Sequence, residues 1–171
     1  MKQFIILIFI FINGILLAQN SVFDIARSGT LEEIKKIYAE SPKSIDLKNE
    51  SGYTPLILAC YNSNNEVAKF IAKNSKTINK ESSYGTPLMA AVVKNNIEMV
   101  ETLLKLNADP NKTDQNKTTA LHYAVMFQLE EITALLIKHG AKTNKEDNKG
   151  FTPKDYALKY NNQHINSLLK I

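Results

Sequence analysis

Thr119-Ala120-Leu121-His122-Tyr123-Ala124 opens a stretch that runs on to Leu135-Leu136-Ile137-Lys138-His139-Gly140-Ala141, and its pattern decides the fold. The same opening recurs as Thr54-Pro55-Leu56 and Thr86-Pro87-Leu88, and in degenerate form as Thr152-Pro153-Lys154. The four threonines lie 32, 33 and 33 residues apart. A fixed period of this length marks a stack of supersecondary units. Each copy has the same physical content. Thr is a good helix N-cap, because its hydroxyl satisfies a free backbone N–H of the first turn. Pro suits the first helical position, where its missing N–H costs nothing. Apolar or small residues follow at +2, +5 and +6 from the Thr: Leu56, Ala59, Cys60; Leu88, Ala91, Val92; Leu121, Ala124, Val125. That spacing is one face of a short helix, and the small residues let neighbouring helices approach closely.

A second helix is predicted in each copy. Its core positions are Val67, Phe70, Ile71; Met99, Val100, Leu103, Leu104; and Ile132, Leu135, Leu136. Asn107 and Gly140 end two of these helices, and both residue types tolerate the left-handed conformation of a C-cap. A polar turn then leads to the next Thr. Gly52, Gly85 and Gly150 sit in three of these turns, and Lys117 takes that place in the fourth.

On these residues the unit resembles the ankyrin repeat, with its T-P-L-H-x-A signature and period of about 33 residues. The copy from Thr86 to Asn111 matches nearly as well as that from Thr119, with Asn107-Ala108-Asp109 where the family has Gly-Ala-Asp. The copy from Thr54 departs after Phe70, where Asn74-Ser75-Lys76 replaces the Gly-Ala. The resemblance implies an all-α solenoid of about five helix-turn-helix units joined by β-hairpin-like loops. Their bounds are about 20–52, 53–84, 85–117, 118–150 and 151–171, together one domain over 20–171. The outer units read as caps: Asp24, Arg27, Glu32 and Glu33 give the first a charged outer face, and Lys154-Asp155 do so for the last. Terminal repeats need such faces for solubility.

The sequence offers little for catalysis. His122, His139 and His164 fall at different phases of the repeat and do not converge on a metal. His122 stands at the family's signature His, so the resemblance implies that its hydrogen bonds brace the turn. Cys60 is the single cysteine and lies on a packed helix face, where a thiol behaves as a small hydrophobe. There is no phosphate-binding Gly-rich loop, no H-E-x-x-H and no G-x-S-x-G. Glu32-Glu33 and Glu130-Glu131 begin second helices, where they suit the positive helix end. Asn49, Asn111 and Asn116 each fall in an N-x-[ST] triplet, which an Asn-rich chain produces by chance. The expectation is a protein that is not an enzyme and has no cofactor and no metal.

The resemblance also implies where a partner would sit: on the hairpins and the C-terminal part of each first helix. The helix positions are +7 and +8 from each Thr, namely Tyr61 and Asn62, Val93 and Lys94, Met126 and Phe127, Lys159 and Tyr160. Every pair includes an apolar or aromatic residue, and such residues are enriched at interfaces. Tyr53 and Phe151 stand just before their Thr, at the base of the hairpins. The expected partner-binding residues are therefore Tyr53, Tyr61, Val93, Met126, Phe127, Phe151 and Tyr160, on a concave strip.

The chain carries a net charge of +4 spread along its length, with no Lys/Arg run dense enough for nucleic acid or a membrane surface. Residues 1–18 read differently from the rest. Lys2 is followed by the apolar run Phe4 to Ile12, continued by Ile15 to Ala18. The run is short for a membrane span and suits a secretory signal cleaved after Ala18. An uncleaved N-terminal anchor is the alternative. The reading is of an exported protein, periplasmic or secreted, monomeric, and free of the membrane after signal removal. It binds another protein, either as a general interaction module or as an inhibitor or protective accessory of one periplasmic enzyme or toxin. An enzyme with its own small-molecule site is the remaining alternative, and no cluster of polar residues supports it.

Overall fold

The computed structural model describes residues 22–171. The signal reading of residues 1–18, and the start of the repeat domain at residue 20, lie outside the described residues. Ten α-helices are present among the described residues, arranged as five consecutive pairs. The first pair is α1 (22–28) and α2 (Leu31–Glu40), followed by a 3-10 turn at Pro42–Asp46. The next two are α3 (Pro55–Tyr61) with α4 (Asn65–Asn74), and α5 (Pro87–Val93) with α6 (Ile97–Lys105). The last two are α7 (Ala120–Met126) with α8 (Glu130–Lys138), and α9 (Pro153–Tyr160) with α10 (Gln163–Leu169). First helices pack on first helices, α3 on α5, α5 on α7 and α7 on α9; α2, α4, α6, α8 and α10 stack the same way. The all-α repeat solenoid implied by the resemblance is the architecture found.

Local chemistry explains the elements. The hydroxyls of Thr54, Thr86, Thr119 and Thr152 accept hydrogen bonds from the N–H groups of Ile57, Met89, His122 and Asp155. Pro55, Pro87 and Pro153 occupy the first helical position of their helices. Asn107 and Gly140 adopt positive φ just beyond α6 and α8. All nine first-helix positions at +2, +5 and +6 in α3, α5 and α7 are buried.

Two second-helix positions differ from expectation. Phe70 and Leu135 are only partly buried and pack against the edge of the core. The fully buried positions one residue later are Ile71, Leu103 and Leu136. Leu135 shares its repeat phase with Thr102, not with Leu103, so its side chain points along the flank of the stack.

Side chains tie each unit to the next. A carboxylate oxygen of Asp46 accepts from the Lys76 N–H at 3.0 Å. One repeat on, the Asn79 amide oxygen accepts from Asp109 N–H at 2.7 Å, and after it Asn111 accepts from Lys142 N–H at 2.8 Å. The Asn111 amide nitrogen also donates to the Gly140 carbonyl. The side chain of this N-x-[ST] asparagine is thus engaged in stacking.

The turns before the first helices explain the uneven period. Asn49, Asp114 and Asp147 donate their N–H groups to the carbonyls of Tyr53, Thr118 and Phe151, four residues on. In the remaining turn Ser82 N–H reaches the Gly85 carbonyl, only three residues on. That turn is one residue shorter, which produces the spacing of 32 between Thr54 and Thr86. Among the described residues these hairpins hold isolated bridges, Ser82 with Gly85 and Thr113 with Thr119, and no extended strand.

Candidate protein-binding groove

Four of the seven expected contact residues meet in one groove. Tyr53, Tyr61, Val93 and Phe127 line a hollow of about 580 Å³. Met126 lies outside this lining, half-buried and packed on the core. Phe151 and Tyr160 are exposed but also lie outside it. The structure adds residues that the sequence did not single out, chiefly Tyr84, Tyr123 and Arg27. Ile57, Leu58, Met89 and Ala90 complete its apolar surface.

The hollow has a cause in the repeat. In the last two units the residue at +4 from the Thr is tyrosine. The Tyr123 hydroxyl donates to Asp114 at 2.6 Å, and the Tyr156 hydroxyl donates to Asp147 at 2.6 Å. In each case the other carboxylate oxygen closes its own turn, accepting backbone N–H groups at Asn116 and Thr118, or at Lys149 and Phe151. The same +4 position in α3 and α5 carries Leu58 and Ala90. The Ala90 methyl does not extend into the space a tyrosine would take, and the groove opens there.

Aromatic rings form its walls as two stacked pairs. Tyr53 and Tyr84, from the turns before α3 and α5, stack with centroids 5.8 Å apart and planes 10° apart. Tyr123 and Phe127 of the α7 region stack at 6.2 Å and 21°. Tyr84 is the most exposed large apolar side chain among the described residues, at 74%. It stands two residues before its Thr, where Tyr53 stands one before. A search at one repeat phase therefore passes over it, and the shortened Ser82–Gly85 turn is the signal that marks it. For Tyr123 the signal was the pair Asp114 and Tyr123, repeated one period later as Asp147 and Tyr156.

The electrostatics are simple. Burial, with Tyr84 and Tyr61 nearby, raises the Tyr53 phenol above its usual value. Burial and then the bond to Asp114 raise the Tyr123 phenol. Both rings stay neutral at physiological pH and offer hydroxyls to a ligand or a turn. The lining contains Arg27, which pairs with Asp24 at 2.9 Å, and no carboxylate. The ammonium of Lys94 lies 5.1 Å from the centre of the Tyr61 ring.

The remaining candidates for chemistry are structural. Cys60 is fully buried, and burial pushes its thiol well above the usual range, away from the reactive thiolate. His122 is also fully buried. Its Nδ1 accepts the Thr119 N–H at 3.1 Å, which assigns the proton to Nε2. That Nε2–H donates to the Phe151 carbonyl of the next turn at 3.1 Å. His122 therefore braces one unit against the next. Among the described residues no three His, Cys, Asp or Glu side chains gather as a metal site.

A solenoid of helix pairs with an aromatic groove across several units defines a binding scaffold as a class. A family model described as ankyrin repeats (3 copies) matches residues 22–114 and again 106–171. The chain belongs to the ankyrin-repeat family, whose members are generally protein–protein interaction modules and typically non-catalytic. No curated protein matches the chain.

Proposed function

We propose that this protein is a non-catalytic interaction module that works outside the cytosol and holds a protein partner through the groove. Met126, Phe151 and Tyr160, outside the groove lining, extend the contact. The observation that carries this reading is the convergence of Tyr53, Tyr61, Tyr84, Tyr123 and Phe127, from successive units, on one open apolar hollow. Rigid aromatic side chains supply large contact area and commonly dominate the energy of an interface. The setting outside the cytosol rests on the charge, length and apolarity of residues 1–18. No helix among the described residues is long and apolar enough to cross a membrane.

The binding face is tested by recovering the partner from the native compartment and titrating it against variants. Phe127→Ala and Tyr61→Ala should each weaken binding by about 2 kcal/mol, the scale of an interface anchor. Lys138→Ala and Lys73→Ala, on exposed second-helix positions, should leave it unchanged. Circular dichroism first establishes that all four fold. Binding that survives both aromatic changes and is lost with a second-helix change would place the contact on the opposite side. Mass spectrometry of the native protein tests export: a chain still starting at Met1 would exclude cleavage after Ala18.

A further inference from the structure

The charged side chains in the groove lining and at its helix-end border are cationic. The helix-end positions bordering it, at +7 and +8, are Tyr61, Asn62, Val93, Lys94, Met126 and Phe127; the next unit has Lys159 and Tyr160. None is acidic. Lys94 makes no ion pair among the described residues, and its ammonium is held over the Tyr61 ring at the groove's edge. Lys159 lies 5.9 Å from the ring of its chain neighbour Tyr160, outside the groove. Arg27 adds a guanidinium to the lining, and the one carboxylate beside it, Asp24, is exposed and lies outside that lining. Of the acids on the turns that carry Tyr53, Tyr84 and Tyr123, Asp114 takes the Tyr123 hydroxyl and Glu81 pairs with Lys112 at 3.0 Å, while Glu50 is exposed and lies outside the lining.

We propose that the groove takes an extended peptide segment with one large apolar side chain flanked by acidic residues. The inference rests on the groove being the binding face and names the chemistry of its occupant. The apolar side chain fills the hollow over Met89 and Ala90, between the Tyr53–Tyr84 stack and the Tyr123–Phe127 stack. The flanking carboxylates meet Lys94 and Arg27. A carboxylate arriving at Lys94 finds an ammonium without a carboxylate to displace. A cationic ligand, in contrast, would bring a second positive charge to a site where the aromatic faces already serve the protein's own lysine. That charge pattern favours an acidic segment over a methylated-lysine or other cationic one.

The test uses the purified full chain and fluorescein-labelled peptide pools of about nine residues with a central Phe or Leu. Flanking positions are Asp/Glu in one pool, Ser/Gly in a second and Lys/Arg in a third. Fluorescence polarisation at low salt should rank them acidic, neutral, basic, with roughly tenfold between the extremes, since exposed charge pairs each contribute only a fewfold. Raising the salt from about 0.05 M to 0.5 M should shrink that difference, because exposed charges are screened. Lys94→Glu should remove or reverse the ranking. Tyr84→Ala should weaken every pool at least about tenfold, the scale of a central aromatic anchor. A basic pool that binds as well as the acidic one, or a ranking unmoved by Lys94→Glu, overturns the proposal. If Tyr84→Ala still weakens binding in that event, the groove remains the binding face. Binding insensitive to Tyr84→Ala and Phe127→Ala removes the groove itself. Absence of saturable binding by any pool, or dimerisation in sedimentation velocity that Tyr84→Ala abolishes, also overturns the peptide occupant.

Discussion

Replacing Thr133 with Val should stabilise this protein by about 1–2 kcal/mol, the scale of an unsatisfied buried hydroxyl. Thr133 lies on α8 with no exposed surface, and its hydroxyl has no hydrogen-bond partner. The repeat supplies its own control. The same phase is occupied by Ala68 in α4 and by Val100 in α6, both fully buried. Valine therefore fits this position in the stack one unit away. Thr and Val have nearly the same shape and similar helix propensity, so the exchange isolates the hydroxyl. The reciprocal change, Val100→Thr, should destabilise by a similar amount. Urea titration followed by far-UV circular dichroism reads both, as a shift in midpoint at constant slope. In thermal melts each kcal/mol should appear as roughly 2–4 °C for a chain of this size. A Thr133→Val protein no more stable than wild type, together with a Val100→Thr protein that loses nothing, would show that the Thr133 hydroxyl is satisfied.

Other outcomes follow from the same structure. Leu103→Ala should cost about 3–5 kcal/mol as a fully buried site, and the half-buried Leu135→Ala about half as much; urea midpoints that reversed the order would contradict the burial described for α6 and α8. Gly85 has φ +104, and a Cβ there would lie 2.3 Å from the Met89 sulfur. Gly85→Ala should therefore cost about 1–3 kcal/mol and shift the groove floor, read as lost peptide binding in a still-folded protein. His122 is held neutral, with burial lowering its pKa below 6.5. The unfolded chain takes up that proton first, so the stability this group contributes is present above about pH 6.5 and is lost as pH falls towards the lower folded-state value. Urea midpoints should fall between about pH 7 and pH 5 in the native protein, and fall less in His122→Gln; the carboxylates with lowered values titrate below that window. Parallel curves for the two proteins would mean that His122 accepts its proton in place.

The solenoid is written in local and periodic features of the chain. The threonine caps, the prolines behind them and the phase of Leu56, Leu88 and Leu121 are local or periodic features, and a period of one unit translates directly into stacking. Cys60 as filler was legible for the same reason, while the bracing role of His122 came from the resemblance to the family. Phe70 and Leu135 were counted with the core beside Ile71 and Leu136 because apolar character alone does not say which flank of a helix meets its neighbour. Comparison with Thr102 at the same phase carries that information.

The groove exists only once the units are stacked. Tyr53 and Phe127 could be read at their repeat phases, but Tyr84 and Tyr123 stand at others and reach the same hollow. One turn shortened by a residue brings Tyr84 onto Tyr53. An alanine at position 90 leaves empty the volume that tyrosine fills in α7 and α9. Met126, Phe151 and Tyr160 share the expected phases yet fall outside. A repeat phase specifies direction within one unit. A binding hollow depends on which side chains of several units are large and which are small where they meet, and only the packed stack brings those differences together.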